Sequence, residues 1–504
     1  MKILESIKTY SKSNRIALVC DGDTMSYKEL DSVSEAIGCF LIKEIGQDNK
    51  PVVLYGNKEN IMMGVMMGAL KSGRAYIPID ISYPKERVET IIDEVKPDVL
   101  FDFSEGNEFN NIKVIHNSDI DSICEKYKGM EIEKSHWVGD DENAYILFTS
   151  GSTGKPKGVQ ISSKNLDNFV NWIEEYLNLD DSEEVFMNQA AYSFDLSVTS
   201  IYPGLCYGKT LHGFSKKTLS NLKNMFDDME RSNINLWVST PSFAGMCAAQ
   251  DGFNSSMLPN LKAMVFIGEV LPKTLCEELM NRFPDTRIIN GYGPTEATVA
   301  VSMNDMNREM LKEDGSLPIG FPMKTSVVKI TDEDGKELED GEKGEIVIVS
   351  PSVSKGYFNN PEKTQKSFFY DYYNGEKCRA YRTGDLGYYE DGRLYYCGRK
   401  DFQIKLNGYR IEIEDIENNL IKVSNVKNAA VVPVNKNDKI AYLTAFVELK
   451  EENGLSGLKN GIAIKKELGS LIPSYMVPRN IKIINQFPTN VNGKIDRKRL
   501  LEVD

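Results

Sequence analysis

Short apolar runs of four or five residues alternate with segments of helical spacing through roughly the first four hundred residues, and this limits the fold more than any other feature. Val52–Tyr55 and Ala75–Ile79 read as strands on either side of Asn60–Lys71, whose periodicity is helical. Pro84 opens a helix over Lys85–Val95 that sets Val88, Ile91 and Ile92 on one face, and Asp98–Phe101 follows as a strand. Ala144–Phe148, Leu236–Ser239, Ala263–Ile267 and Arg287–Asn290 repeat the theme beside further helical segments. A strand returning through a helix to the next strand builds an open, largely parallel sheet. From Val327 to Ser350 the character changes to β patterns broken by Asp334-Gly335 and Asp340-Gly341, the signature of a small β subdomain.

A hairpin over Leu386–Cys397, turning at Asp391-Gly392, leads to a boundary near Gly398–Asp401. Beyond it lie a helical stretch from Glu412, strands near Ala429–Val434 and Ala441–Leu449, and a helix over Ile462–Leu471, enough for a compact domain. The expected architecture is therefore α/β: a large N-terminal domain, 1–399, with open mostly parallel sheets plus a small β subdomain, then a small mobile α+β C-terminal domain, 400–504.

Composition excludes several classes. The apolar stretch Ile61–Leu70 stops at Lys71, too short to span a bilayer, so no membrane insertion is expected. Glu5 and Lys8 lie where an export signal needs an apolar run, so the expected location is cytoplasmic. Eight cysteines without a CxxC pair read as reduced thiols, and three histidines supply neither a zinc cage nor a Ser/His/Asp triad well. The last 105 residues carry 17 Lys and Arg against 13 Asp and Glu, whereas the whole chain has a net charge of −14. An acidic body with a mildly basic tail argues against nucleic acid. The tail reads either as ordinary surface or as a docking aid for an acidic partner. Met62, Met63, Met66 and Met67 read as helix packing.

The chemistry is carried by five strings. Leu147-Phe-Thr-Ser-Gly-Ser-Thr-Gly-Lys-Pro-Lys-Gly158 takes a strand straight into a loop. Gly151 and Gly154 let backbone N–H groups turn inward as an anion nest; Thr149, Ser150, Ser152 and Thr153 add hydroxyls, Lys155 and Lys157 add charge. Such a loop suits a triphosphate, although Pro156 excludes the Walker pattern. In Asn290-Gly-Tyr-Gly-Pro-Thr-Glu296, Tyr292 offers a face for a base, and Thr295 and Glu296 are oxygen ligands of the kind Mg²⁺ accepts beside phosphates. In Tyr381-Arg-Thr-Gly-Asp385 the aspartate can accept both hydroxyls of a ribose. Tyr396-Cys-Gly-Arg-Lys-Asp401 marks the boundary, and Asn490-Val-Asn-Gly-Lys494 places one lysine on a late loop. Each string alone is equally a turn or a surface loop; the ordered set is what points to one nucleotide site.

In this order the strings resemble the core motifs of the adenylate-forming superfamily: acyl-CoA synthetases, luciferases and amino-acid adenylation domains. The resemblance covers essentially the whole chain and implies ATP and Mg²⁺ as cofactors. It implies that the 149–158 loop handles the β,γ-phosphates, and that Asn290, Gly291, Tyr292, Gly293, Pro294 and Thr295 flank the nucleotide with Tyr292 stacked on adenine. Glu296 would hold Mg²⁺ through the phosphates, and Asp385 and Arg399, with Tyr396, Cys397 and Gly398 beside them, would meet the ribose. Asp401 would be the hinge, and Lys494 would bridge the α-phosphate and the substrate carboxylate.

Tyr192-Ser-Phe-Asp-Leu-Ser-Val198 narrows the substrate, since the resemblance gives Asp195 the α-ammonium of an amino acid; a helix N-cap is the plainer role for an aspartate there. Closer still, GKPKGVQIS, NQAAYSFDLSV, YGPTEATVAV and GRKDFQIKLNGYRIE resemble the ligases that load D-alanine onto a phosphopantetheinylated D-alanyl carrier protein for lipoteichoic acid modification. That resemblance places Asp195, Val299 and Ile267 at the amino-acid site. It also departs twice: Ile267 stands where it implies cysteine, a residue linked to the choice of D over L, and Gly291 where it implies threonine. A ligase for another small amino acid or an acyl group, and a sensor without catalysis, are the other readings of the same strings.

Overall fold

The computed structural model describes residues 1–46, 48–104, 109, 112–151, 154–436, 439–451, 453–488, 495 and 497–500. The chain forms two compact units. One is Met1–Asp80, Val95–Leu147 and Gly158–Lys400; the other is Ile81–Glu94, Phe148–Lys157 and Asp401–Asp504.

Among the described residues, the first unit holds a nine-stranded, a six-stranded and a five-stranded sheet. The nine-stranded sheet is parallel through Arg287–Tyr292, Ala263–Phe266, Ile234–Ser239, Val185–Asn188, Thr210–Gly213 and Ile16–Cys20, with antiparallel strands only toward its two edges. In the six-stranded sheet Lys113–His116, Val99–Asp102, Val52–Gly56, Tyr76–Asp80 and Asn143–Thr149 run parallel. Every residue of Val52–Gly56, Tyr76–Asp80 and Ala263–Phe266 is buried, because helices cover both faces of such a sheet; this is why the sequence shows unbroken apolar runs there. The helix Asn60–Lys71 buries all four of its methionines and packs along Tyr27–Phe40. Gly64 and Gly68 make that approach possible: a Cβ at Gly64 would lie 2.4 Å from Val33 Cγ1, and one at Gly68 2.8 Å from Ile37 Cβ.

The five-stranded sheet is the small β subdomain, antiparallel throughout, with the long strand Glu376–Glu390 turning at Asp391-Gly392 into Arg393–Arg399. The second unit has the hairpin Gln403–Leu406/Tyr409–Glu412, the helices Ile413–Leu420 and Gly457–Leu468, and a sheet in which Val426–Lys436 pairs with Lys439–Leu449 and that with Asn480–Ile483. Gly457–Leu468 begins five residues before the helix expected from the apolar pattern at Ile462. Ser456 starts it by accepting from the Lys459 N–H, whereas Ile462 itself is exposed.

All eight cysteines are free thiols. Among the described residues no helix is long and apolar enough to cross a membrane.

Candidate functional site

In the nine-stranded sheet the carboxyl ends of Val185–Asn188, Ile234–Ser239, Ala263–Phe266 and Arg287–Tyr292 share one edge, where open α/β sheets take their ligands. The segments leaving those ends carry Asn188 to Asp195, Thr240, Ile267 to Glu269, and Tyr292 to Glu296.

Asp195 opens a single 3₁₀ turn, Asp195–Ser197, for which Phe194 is the N-cap, so its carboxylate is not a capping group. Its Oδ2 instead accepts a 2.6 Å hydrogen bond from the Thr295 hydroxyl. This joins the segment expected to bind the amino group to the one expected to handle the nucleotide. Glu296 is fully buried, and its Oε1 accepts from the Tyr357 hydroxyl at 2.8 Å. The loop from Tyr292 is closed at its base, Val301 N–H to Tyr292 C=O at 2.8 Å. Inside it Thr298 and Val299 both stand in the left-handed region, φ +59° and +71°, where branched side chains are strained. Thr298 is held there by its hydroxyl on the Ser352 carbonyl, 2.7 Å. Gly293 has no room for a side chain, since a Cβ would lie 2.5 Å from Ala300 Cα; Pro294 follows directly as the N-cap of Thr295–Ala297.

Asp385 is buried and receives a donor on each oxygen: Arg399 Nη1 at 2.6 Å and the Tyr292 hydroxyl at 2.6 Å. Burial, reinforced by the Asp385 charge, raises the Tyr292 phenol well above its usual range, so it remains a donor. The Tyr396 ring lies 6.2 Å from that of Tyr292, tilted by 38°. Cys397 is exposed, and Gly398 takes φ +107° with open space around it. Asn290 sends its amide N–H to the Pro318 carbonyl at 2.9 Å, while its buried Oδ1 has no partner among the described residues.

The two departures noted in the sequence are one feature here. Gly291 and Ile267 are neighbours across the strand pair, and a Cβ at Gly291 would lie 2.9 Å from Ile267 Cγ1 and 3.3 Å from Met303 Cγ. Gly291 is not in the left-handed region, so glycine serves space there, not conformation. The larger side chain at 267 occupies room that the smaller residue at 291 leaves.

The phosphate-type loop lies in the second unit. Ser150 is buried; its hydroxyl donates to the Arg410 carbonyl at 2.9 Å and accepts from the Glu412 N–H at 3.1 Å. Gly154, φ +75°, offers its carbonyl to Arg87, which also pairs with the buried Asp415 at 2.8 Å. Lys157 lies 3.7 Å from Glu412. Gly151 is buried, Lys155 is exposed, and Thr149 Oγ1 is a buried hydroxyl without a partner among the described residues. Asp401, the first residue of this unit's long segment, accepts from Gln403 N–H at 3.2 Å. Ser152, Thr153 and Lys494 lie outside the described residues.

Tyr357 reaches the candidate site without any motif to mark it. It partners Glu296 from 61 positions away, and no local pattern announces it.

Residues 7–358 match the AMP-binding enzyme family, and residues 415–494 match the AMP-binding enzyme C-terminal domain. The chain belongs to the AMP-binding enzyme family. Within that family it is 43% identical to a D-alanine–D-alanyl carrier protein ligase of Bacillus cytotoxicus, over 99% of each chain. It is 45% identical to the ligase of the same name from Listeria monocytogenes, over 95% of this chain and 94% of that one. Among solved structures, the Vibrio cholerae adenylation domain AlmE, in complex with glycyl-adenosine-5'-phosphate, superposes with a TM-score of 0.84 at 22% identity, over 99% of this chain and 96% of that one. The amide bond synthetase McbA of Marinactinospora thermotolerans gives 0.82 at 18% identity, over 99% of each. These two likenesses concern the fold.

Proposed function

We propose that this AMP-binding enzyme activates D-alanine with ATP as D-alanyl adenylate and passes the acyl group to the phosphopantetheine thiol of a carrier protein. The observation that carries the reading is the Asp195–Thr295 hydrogen bond: the carboxylate that would receive the α-ammonium is tied to the residue beside Glu296. Support for the substrate comes from the two relatives named above, whose names specify D-alanine and its carrier.

The attacking group is the amino acid's own carboxylate, and pyrophosphate leaves, so no protein nucleophile is needed; positioning and charge stabilisation do the work. Each Asp385 oxygen accepts one protein donor and has a lone pair left for a ribose hydroxyl. The unpartnered Asn290 Oδ1 is an acceptor suited to a base amino group, and the unpartnered Thr149 hydroxyl is a donor suited to phosphate. Glu296 fits Mg²⁺ held mainly by phosphates, because such a site needs one or two carboxylates and no protein cage. Among the described residues there is no group of three His, Cys, Asp or Glu that would form a cage. Mg²⁺ held beside Glu296 would supply positive charge for the pyrophosphate leaving group. Lys494 would neutralise the α-phosphate and attacking oxygen.

The second half-reaction needs Lys494 to give way to the thiol, with Asp401 as the hinge. Ser150 bears on the phosphate role of the loop. Its one hydroxyl proton goes to the Arg410 carbonyl, so while that bond is made this hydroxyl has no proton for a phosphate.

The test is amino-acid-dependent pyrophosphate exchange with D-alanine, L-alanine, glycine and D-serine. Exchange with D-alanine preferred by at least tenfold is expected; a stronger signal with another substrate, or none with any, overturns the assignment.

A further inference from the structure

Lys58 lies between the strand Val52–Gly56 and the helix Asn60–Lys71, and its side chain is almost completely buried. Its ammonium donates to Asn188 Oδ1 at 2.8 Å and sits 3.9 Å from the centre of the Tyr192 ring. Asn188 Nδ2 in turn reaches the Tyr192 hydroxyl at 3.4 Å. Among the described residues no carboxylate forms a salt bridge with it. A buried ammonium without a counter-ion is costly, and an apolar side chain of the same length would fill the space without that cost. Packing alone therefore does not account for a lysine here.

What it touches does account for it. Asn188 ends the strand Val185–Asn188, and Tyr192 lies three residues before Asp195; both are buried. The amine grips the two fixed points of the segment that delivers Asp195 to Thr295. We propose that Lys58 is a positioning residue for the amino-acid site, holding segment 188–195 so that the Asp195 carboxylate meets the substrate's α-ammonium. This rests on the reading of Asp195 given above.

The Tyr192 ring lies against the amine, and the charges of Cys20, Asp80 and Glu59 act on it from farther off. Burial outweighs the pull of those groups and brings the amine down to about 7. The protonated form makes the stronger bond to Asn188 and the stronger contact with the ring, so the grip loosens as pH rises through that region. Sign and stability run the other way: the folded state binds this proton less readily than the unfolded chain. The group therefore adds stability as pH rises from about 7 toward the ordinary lysine value of 10.5.

Lys58→Met tests it in the full chain by pyrophosphate exchange from pH 6 to 9, with D-alanine and ATP varied separately. The expected result is an amino-acid KM raised about ten- to a hundredfold at pH 6, the range for losing a charged hydrogen bond, with ATP KM unchanged. The wild-type rise in amino-acid KM near pH 7 should be absent from the variant, and its thermal midpoint at pH 6 should be no lower than wild type. Asn188→Asp gives the amine a counter-ion and should move the wild-type inflection upward by a pH unit or more. An amino-acid KM unchanged in Lys58→Met, or an inflection unmoved in Asn188→Asp, overturns the proposal. No amino-acid-dependent exchange in the wild type would instead overturn the reading of Asp195.

Discussion

Gly291→Ala places a methyl group where Ile267 already lies. The new carbon would stand 2.9 Å from Ile267 Cγ1 and 3.3 Å from Met303 Cγ, against roughly 3.5–4.0 Å for carbons at rest. Ile267 and Met303 are 3% and 1% exposed, so neither can swing into solvent. Overpacking of this kind costs about 1–3 kcal/mol. Because Gly291 leads directly into Tyr292–Glu296, the displacement should appear as an amino-acid KM raised roughly five- to 140-fold, in proportion to that cost. Ile267→Ala alone leaves a cavity and should lower stability by about 2–5 kcal/mol. The double variant fills that cavity in part with the new methyl, and the two changes should offset each other by about 1–3 kcal/mol. Denaturant unfolding and pyrophosphate exchange with D- and L-alanine on the three variants complete the cycle. Additivity within about 0.5 kcal/mol in both measurements would refute the coupling, since independent sites behave that way.

Tyr357→Phe removes a donor from the buried Glu296 and should lower kcat/KM for exchange by about ten- to a hundredfold, with a raised Mg²⁺ requirement; an unchanged Mg²⁺ titration would count against Glu296 as the metal-side carboxylate. Lys494→Ala should abolish adenylation by orders of magnitude at an unaltered thermal midpoint, and near-normal exchange would remove Lys494 from the mechanism. Asp401→Pro should block transfer to the carrier thiol and spare exchange, measured as acyl-carrier formation from preformed adenylate. Equal loss of both half-reactions would deny it the hinge role.

The buried parallel strands were legible because both of their faces are covered, so Val52–Gly56 and Ala263–Phe266 announce themselves as apolar runs without needing a periodic partner. The hairpin at Asp391-Gly392 was legible from its turn chemistry, with both residues at positive φ. The helix Gly457–Leu468 was misplaced because its exposed Leu458 and Ile462 do not mark a core face; the polar cap at Ser456 defines it. At the site, glycine-rich strings declare loops, and their residues fall at strand ends as the pattern suggests. Tyr357 and Lys58 were not legible, since their roles come from pairings 61 and 130 residues distant that no window of sequence contains. The mutual fit of Ile267 and Gly291 was likewise hidden: two separate oddities in the chain become one packing decision only when their strands lie side by side.

The closed loop from Tyr292 to Val301 has a thermodynamic consequence. With its ends bonded and Thr298 and Val299 fixed in a conformation they would leave if released, the loop has already surrendered its freedom when the chain folds. A ligand arriving at this loop therefore meets a backbone that does not need ordering, and its affinity reflects the contacts it makes undiminished by a disorder penalty. Relaxing either residue to glycine would make the protein easier to fold and harder to saturate.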